Sequence, residues 1–268
     1  MSRSLPPLLL VGGGKMGGAL LTGWLELGLA PSIVVDPSPA AQALAGVGVT
    51  VVPGLDAVPP GFAPACIVLA VKPQQADLVL PGLIGLAEGA VVVSIMAGVT
   101  VARLRGSLGD VSVVRAMPNT PAAIRRGITV GFAGPGVNVG QRALADALLT
   151  AVGDVAWVED EALIDPVTAI SGGGPAYVFL LAELLEKAGL KHGLPPALAR
   201  QLARVTVAGS GALLAASGED AAALRVAVTS PGGTTERALA VLMEDAAWPA
   251  AVSAAIEAAT ARSRALGG

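Results

Sequence analysis

Gly12-x-Gly14-x-x-Gly17 stands directly after the apolar run Leu8-Leu9-Leu10-Val11 and directly before an apolar stretch of helical length, about Met16 to Leu27. A short continuous apolar run suits a strand buried on both faces. In a strand–turn–helix unit, this spacing predicts a dinucleotide-binding turn. The first glycine permits the tight turn, the second admits a pyrophosphate to the backbone, and the third lets helix pack on strand. Free N–H groups at the helix start attract the anion, which makes Gly12, Gly13, Gly14, Lys15, Met16 and Gly17 the candidate contacts. The competing reading is a plain glycine turn, since 35 of the 268 residues are glycine. Asp36 closes the next β-branched run, Ile33-Val34-Val35, where an acid can bind the ribose 2′-OH of NAD. Asp36-Pro37-Ser38 offers no cation for the 2′-phosphate of NADP, so the local sequence favours NAD. Asp36 is equally suited to start a turn before proline.

Further short β-rich runs follow at Val49–Val52, Cys66–Val71, Val91–Ser94, Val111–Arg115 and Ile128–Phe132, separated by helical segments. This alternation predicts an α/β domain of the Rossmann type, a doubly wound parallel sheet with right-handed crossovers. After about residue 160 the β-rich runs stop and Ala/Leu-rich helical patterns take over. Val178, Leu181, Ala182 and Leu185 share one helical face, with Glu183, Glu186 and Lys187 off it. The expected division is therefore residues 1–160, dinucleotide-binding, and 161–268, all-α. Helices so poor in surface charge suggest burial against a partner subunit.

Composition narrows the chemistry. Hydrophobic residues make up 53% of the chain and charged residues only 14%, which excludes a disordered chain. A net charge of −3 and 3% aromatics disfavour nucleic-acid binding. Each long uncharged stretch is broken by proline or glycine, as in Gly172-Gly173-Gly174-Pro175, so no membrane span or signal peptide is expected and the protein is placed in the cytoplasm. With one Cys, Cys66, and one His, His192, no disulfide within the chain and no Cys/His zinc site are expected. His192 is assigned to a turn after a helix, so the chemistry does not rest on an ordinary imidazole base.

Two glycine-rich segments precede helical stretches in the second half. Thr229-Ser230-Pro231-Gly232-Gly233-Thr234-Thr235 combines a Ser/Thr cap, an early proline and glycines that leave N–H groups open to a carboxylate. Ser171-Gly172-Gly173-Gly174-Pro175 repeats the design before Ala176–Lys187. Two capped helix starts are the competing explanation. Two strand-end loops, Ala70-Val71-Lys72-Pro73-Gln74 and Arg115-Ala116-Met117-Pro118-Asn119-Thr120-Pro121, lie where an open α/β sheet binds ligands.

Taken in order, these segments resemble the pyrroline-5-carboxylate reductase family. The resemblance spans nearly the whole chain through Gly12–Leu20 (GGGKMGGAL), Leu69–Gln74 (LAVKPQ), Val114–Pro121 (VRAMPNTP), Asp165–Phe179 (DPVTAISGGGPAYVF) and Thr229–Leu239 (TSPGGTTERAL). It implies reduction of the cyclic imine of 1-pyrroline-5-carboxylate to L-proline by NADPH or NADH, without a metal. It also implies a C-terminal helical domain that interlocks into a homodimer, often assembled further into decamers. By resemblance, Asp36 to Ser38 would face the adenosine ribose. Ala70, Val71, Lys72 and Pro73 with Ala97 and Gly98 would line the cofactor cleft, and Asn119 would lie near the nicotinamide. Ser171, Ser230, Gly232, Gly233 and Thr234 would serve the substrate, with the Ser230–Thr235 loop supplied by the partner subunit. The Thr235 hydroxyl would sit beside the imine nitrogen as the catalytic group.

The chain departs from the family pattern at Gly173, where a serine is usual, and at Val226, where an acid is frequent; relatives preferring NADPH often lack an acid at the place of Asp36. Those departures motivate one alternative, a catalytically silent NAD(P)-binding module. A related imine or β-hydroxyacid oxidoreductase is another, although the only lysines of the helical part, Lys187 and Lys191, lie outside any β-hydroxyacid motif.

Overall fold

A computed structural model describes residues 4–267. The described residues fall into two compact units. One runs up to Gly172 and is rejoined by the chain from Ala259 onward; the other is Gly173–Ala258. The return of the last turns of the C-terminal helix to the first unit has no signature in the local sequence.

In the first unit, strands β1 (Leu8–Val11), β2 (Ser32–Val35), β3 (Val49–Val52), β4 (Cys66–Leu69), β5 (Val91–Ser94), β6 (Ser112–Met117), β7 (Gly127–Ala133) and β8 (Gly153–Val158) form one sheet in the order β3-β2-β1-β4-β5-β6-β7-β8. The first six are parallel to one another. β7 runs antiparallel to β6, and β8 runs parallel to β7. β8 was not expected from the sequence, because its residues are only part-buried and show no continuous apolar run.

Helices α1 (Lys15–Glu26), α2 (Ala76–Val79), α3 (Val101–Leu108) and α4 (Val139–Thr150) cover the two sheet faces. Alternation along β1 explains why its run is wholly apolar. Leu8 and Leu10 pack with Trp24 and Leu148 on one face, while Leu9 and Val11 pack with Leu80 and Leu104 on the other. Trp24 fixes α1 to α4 by donating its indole N–H to the Leu148 carbonyl at 2.7 Å. The unit continues through α5 (Ile164–Val167) into a π-helical turn, Thr168–Gly172.

The second unit is helical throughout: α6 (Gly174–Lys191), α7 (Pro196–Ala216), α8 (Ala221–Ala227), α9 (Thr234–Leu242) and the first half of α10 (Trp248–Gly267). Its core is thin. Only Ala199 and Ala203 are buried among its residues, while Phe179 and Val205 remain 67% and 64% exposed. His192 ends α6, its N–H bonded to the Ala188 and Gly189 carbonyls, as its assignment to a post-helix turn anticipated.

Candidate active site

Strand order reverses between β1 and β4, and an open α/β sheet binds ligands at that switch point, beyond the carboxyl ends of its strands. The loops after β1 and β4 meet there. Gly12 has φ +102°, which L side chains rarely adopt, and a Cβ on it would stand 2.7 Å from the Ala70 carbonyl oxygen. A Cβ on Gly17 would overlap the Gly12 carbonyl, so the third glycine lets α1 sit on the turn. Gly14 behaves differently: it opens α1 without a side-chain cap, and a Cβ there would meet nothing within 4 Å. The backbone is therefore shaped for close approach by a ligand at Gly14, and the first-turn N–H groups of α1, which have no partner within the helix, suit an anionic one. A dinucleotide pyrophosphate fits this cradle.

Asp36 follows β2 at the same sheet edge. Its carboxylate accepts from the Gly13 N–H at 2.7 Å through one oxygen and from the Ser38 N–H at 2.8 Å through the other. Both competing sequence readings thus bear on one side chain, and the turn-forming one has its hydrogen bonds in place. Lys72, exposed after β4, opens a short turn in which its N–H donates to the Gln75 side-chain oxygen at 3.3 Å. Ala97 and Gly98 follow β5, with Gly98 buried at φ +75°.

Asn119 follows β6. Its oxygen accepts from the Ile128 N–H at 3.0 Å, and its amide nitrogen donates to Ser171 Oγ at 3.2 Å. That bond brings together two residues that the sequence places in separate motifs. Ser171 lies in the π-helical turn, and Gly173 has right-handed helical angles, so the chain passes from α5 into α6 along a nearly continuous helical path. The expected helix start within Ser171–Pro175 is present, since α6 opens at Gly174 with Pro175 in its first turn. The expected serine cap is not: the N-cap is Gly173 and has no side-chain cap. Ser171 holds Asn119 rather than capping α6.

The Ser230–Thr235 loop belongs to the second unit. Thr229 donates its hydroxyl to the Arg225 carbonyl at 2.6 Å, and Gly232, at φ +72°, turns the chain so that Gly233 opens α9. Ser230, Thr234 and Thr235 are exposed. The Gly232 N–H already has an acceptor, the Glu236 carboxylate at 2.9 Å. A cavity of about 340 Å³ adjoins the loop, between Arg225, Val226, Glu236 and Met243. The departure at Val226 therefore lies on its wall.

Sequence reasoning passed over Glu236, and it also passed over the partners of Arg115. Arg115 is 2% exposed and pairs with Glu161 at 3.1 Å and Asp165 at 3.3 Å. The available signal was a lone arginine inside an apolar strand, which must find acidic partners to be buried. Among the described residues no group of three or more His, Cys, Asp or Glu side chains converges.

Comparison with known proteins matches residues 161–266 to the family model for pyrroline-5-carboxylate reductase dimerisation, and residues 8–98 to the model for coenzyme F420-dependent NADP oxidoreductases. A pyrroline-5-carboxylate reductase of Pseudomonas aeruginosa is 38% identical, covering 97% of this chain and 96% of the relative. Among solved structures, a pyrroline-5-carboxylate reductase from Coxiella burnetii superposes with a TM-score of 0.88 at 34% identity, covering 97% of this chain and 98% of that one. A Plasmodium falciparum pyrroline carboxylate reductase with NADP bound gives 0.83 at 28% identity, with all of both chains covered.

Proposed function

The chain belongs to the pyrroline-5-carboxylate reductase family, and on that premise we propose that it reduces 1-pyrroline-5-carboxylate to L-proline, the last step of proline biosynthesis. The cofactor is NAD(P)H, seated on the Gly12–Gly17 turn with its nicotinamide toward Asn119 and the Ala97–Gly98 loop. Asp36 stiffens that turn from behind, so the choice between NADH and NADPH does not follow from its charge alone. When bound, the cofactor supplies the hydride.

What carries the substrate assignment is the start of α9 behind the Gly232-Gly233 turn. The two glycine N–H groups are taken by Glu236 and the Ser230 carbonyl, while the first-turn residues Thr234 and Thr235 are exposed and the N–H groups of that turn lack intrahelical acceptors. A helix N-terminus of this kind takes the substrate carboxylate, and Thr235 hydrogen-bonds the imine nitrogen. A protonated imine is already an electrophile, so hydride addition needs no strong acid from the protein. Orientation supplies much of the acceleration, which fits a chain with one histidine and one tyrosine.

The exposed apolar faces of α6 and α7 are read as the interface of a homodimer in which each subunit lends its Ser230–Thr235 loop to its partner, with a decamer as the extended assembly. The helical path Glu161–Lys191 is long and apolar enough to cross a membrane by length and composition; subunit burial explains the same apolar face in a cytoplasmic enzyme. The test is turnover of 1-pyrroline-5-carboxylate with NADPH or NADH, followed by cofactor absorbance. Thr235→Ala should lower kcat far more than it weakens cofactor binding. Turnover equal to wild type removes Thr235 from the chemistry, and no turnover by wild type with either cofactor overturns the reading.

A further inference from the structure

Arg115 is the one cation that β6 carries through the core. Its Nη1 donates to Glu161 Oε1 at 3.1 Å and its Nη2 to Asp165 Oδ1 at 3.3 Å. Each carboxylate is tied to something else. The same oxygen of Glu161 accepts the Val101 N–H at 2.8 Å, which fixes the first residue of α3 and so the far end of the Ala97–Gly98 loop. The same oxygen of Asp165 accepts the Ser263 hydroxyl at 2.7 Å, which ties in the last turns of α10. Asp165 belongs to α5, which runs straight into the turn holding Ser171, and Ser171 holds Asn119, four residues along the chain from Arg115. One guanidinium therefore connects three loops at the carboxyl edge of the sheet.

The arrangement is poorly suited to stability alone. Arg115 Nε is buried with no hydrogen-bond partner, and buried ion pairs seldom outperform apolar packing. A planar fork does set the angle between two carboxylates, which a point charge cannot do.

We propose that Arg115 is a positioning residue for imine reduction, holding Asn119–Ser171 and Ala97–Gly98 in register through Asp165 and Glu161. The inference rests on the reductase reading above, so wild-type turnover is measured alongside every variant. Arg115→Lys keeps the charge and loses the fork; Asp165→Asn keeps the shape and loses the charge. In both, kcat should fall by about one to two orders of magnitude, the scale of a small misplacement of reacting groups. The NADPH dissociation constant, read by fluorescence titration, should stay within about threefold of wild type. Hydrogen exchange should quicken in residues 97–101 and 168–172 while β1 and β4 stay protected. Wild-type kcat in either variant, or stability, NADPH affinity and activity lost in parallel, overturns the proposal. Inactive wild-type protein instead counts against the reductase reading itself.

Discussion

The carboxylate of Asp36 bridges two backbone N–H groups, Gly13 at 2.7 Å and Ser38 at 2.8 Å, and so ties the glycine turn after β1 to the loop after β2. Asp36→Ala frees both donors and slackens the turn proposed to hold the pyrophosphate. NADH and NADPH should then weaken together, by about tenfold, the scale of losing hydrogen bonds to a charged acceptor. Fluorescence titration with both cofactors checks this. If NADH weakens while NADPH tightens, the acid acts on the ribose and not on the turn.

Gly17 and Gly14 should respond in opposite ways to the same methyl group. A Cβ at Gly17 overlaps the Gly12 carbonyl, so Gly17→Ala should destabilise the first unit by roughly 3 kcal/mol or more. Gly14 has φ −67° and open space around it, so Gly14→Ala should unfold like wild type while losing roughly tenfold in NADPH affinity. Urea unfolding and cofactor titration separate the two. Equal unfolding midpoints for the two variants contradict the packing assigned to Gly17.

Much of the first unit was legible because its sheet is buried on both faces, and such strands announce themselves as apolar runs. All seven expected runs form strands, with ends shifted by a residue or two. Direction is another matter: nothing in Ile128–Phe132 says that β7 runs against β6, since burial reads the same both ways. β8 escaped notice because its faces are mixed. The glycine turn was legible because its demands are written in local spacing: Gly12 takes a positive φ and Gly17 must clear the Gly12 carbonyl five residues earlier, although the Ala70 carbonyl that also crowds Gly12 lies far off in sequence. The Asn119–Ser171 bond and the Arg115–Asp165 pair join residues about fifty positions apart. Local pattern carries no record of such pairings, and the expected Ser/Thr caps fail at both helix starts: Gly233 opens α9 and Gly173 opens α6, each without a side-chain cap.

Glu236 places a negative charge beside the loop proposed to take the substrate carboxylate, and its own carboxylate takes the Gly232 N–H at 2.9 Å. Glu236→Ala should release that donor and remove the repulsion. KM for 1-pyrroline-5-carboxylate should fall by about two- to fivefold with kcat little changed, the range of a charge at a helix end. A raised KM would mean that Glu236 shapes the loop more than it blocks it.

Cys66 is fully buried in β4, and burial pushes its thiol well above the ordinary value of 9.0, with a bond to the Val93 backbone acting weakly the other way. Below that value both folded and unfolded thiols keep their proton, and the contribution to stability is complete. Above it the unfolded chain loses a proton that the native state retains, so stability falls as pH rises. Cys66→Ala should flatten this alkaline decline by up to about 1.4 kcal/mol per pH unit. Urea unfolding of both proteins from neutral to alkaline pH provides the comparison; identical slopes would show that Cys66 ionises freely in the native state.

Hydride transfer to the imine carbon is the central claim, and an isotope follows it directly. NADPH carrying deuterium at the hydride position of the nicotinamide is mixed with 1-pyrroline-5-carboxylate and the enzyme, and the product is read by mass spectrometry and NMR. The predicted result is L-proline with one deuterium on the former imine carbon. Proline without deuterium, or oxidised cofactor without proline, contradicts the account.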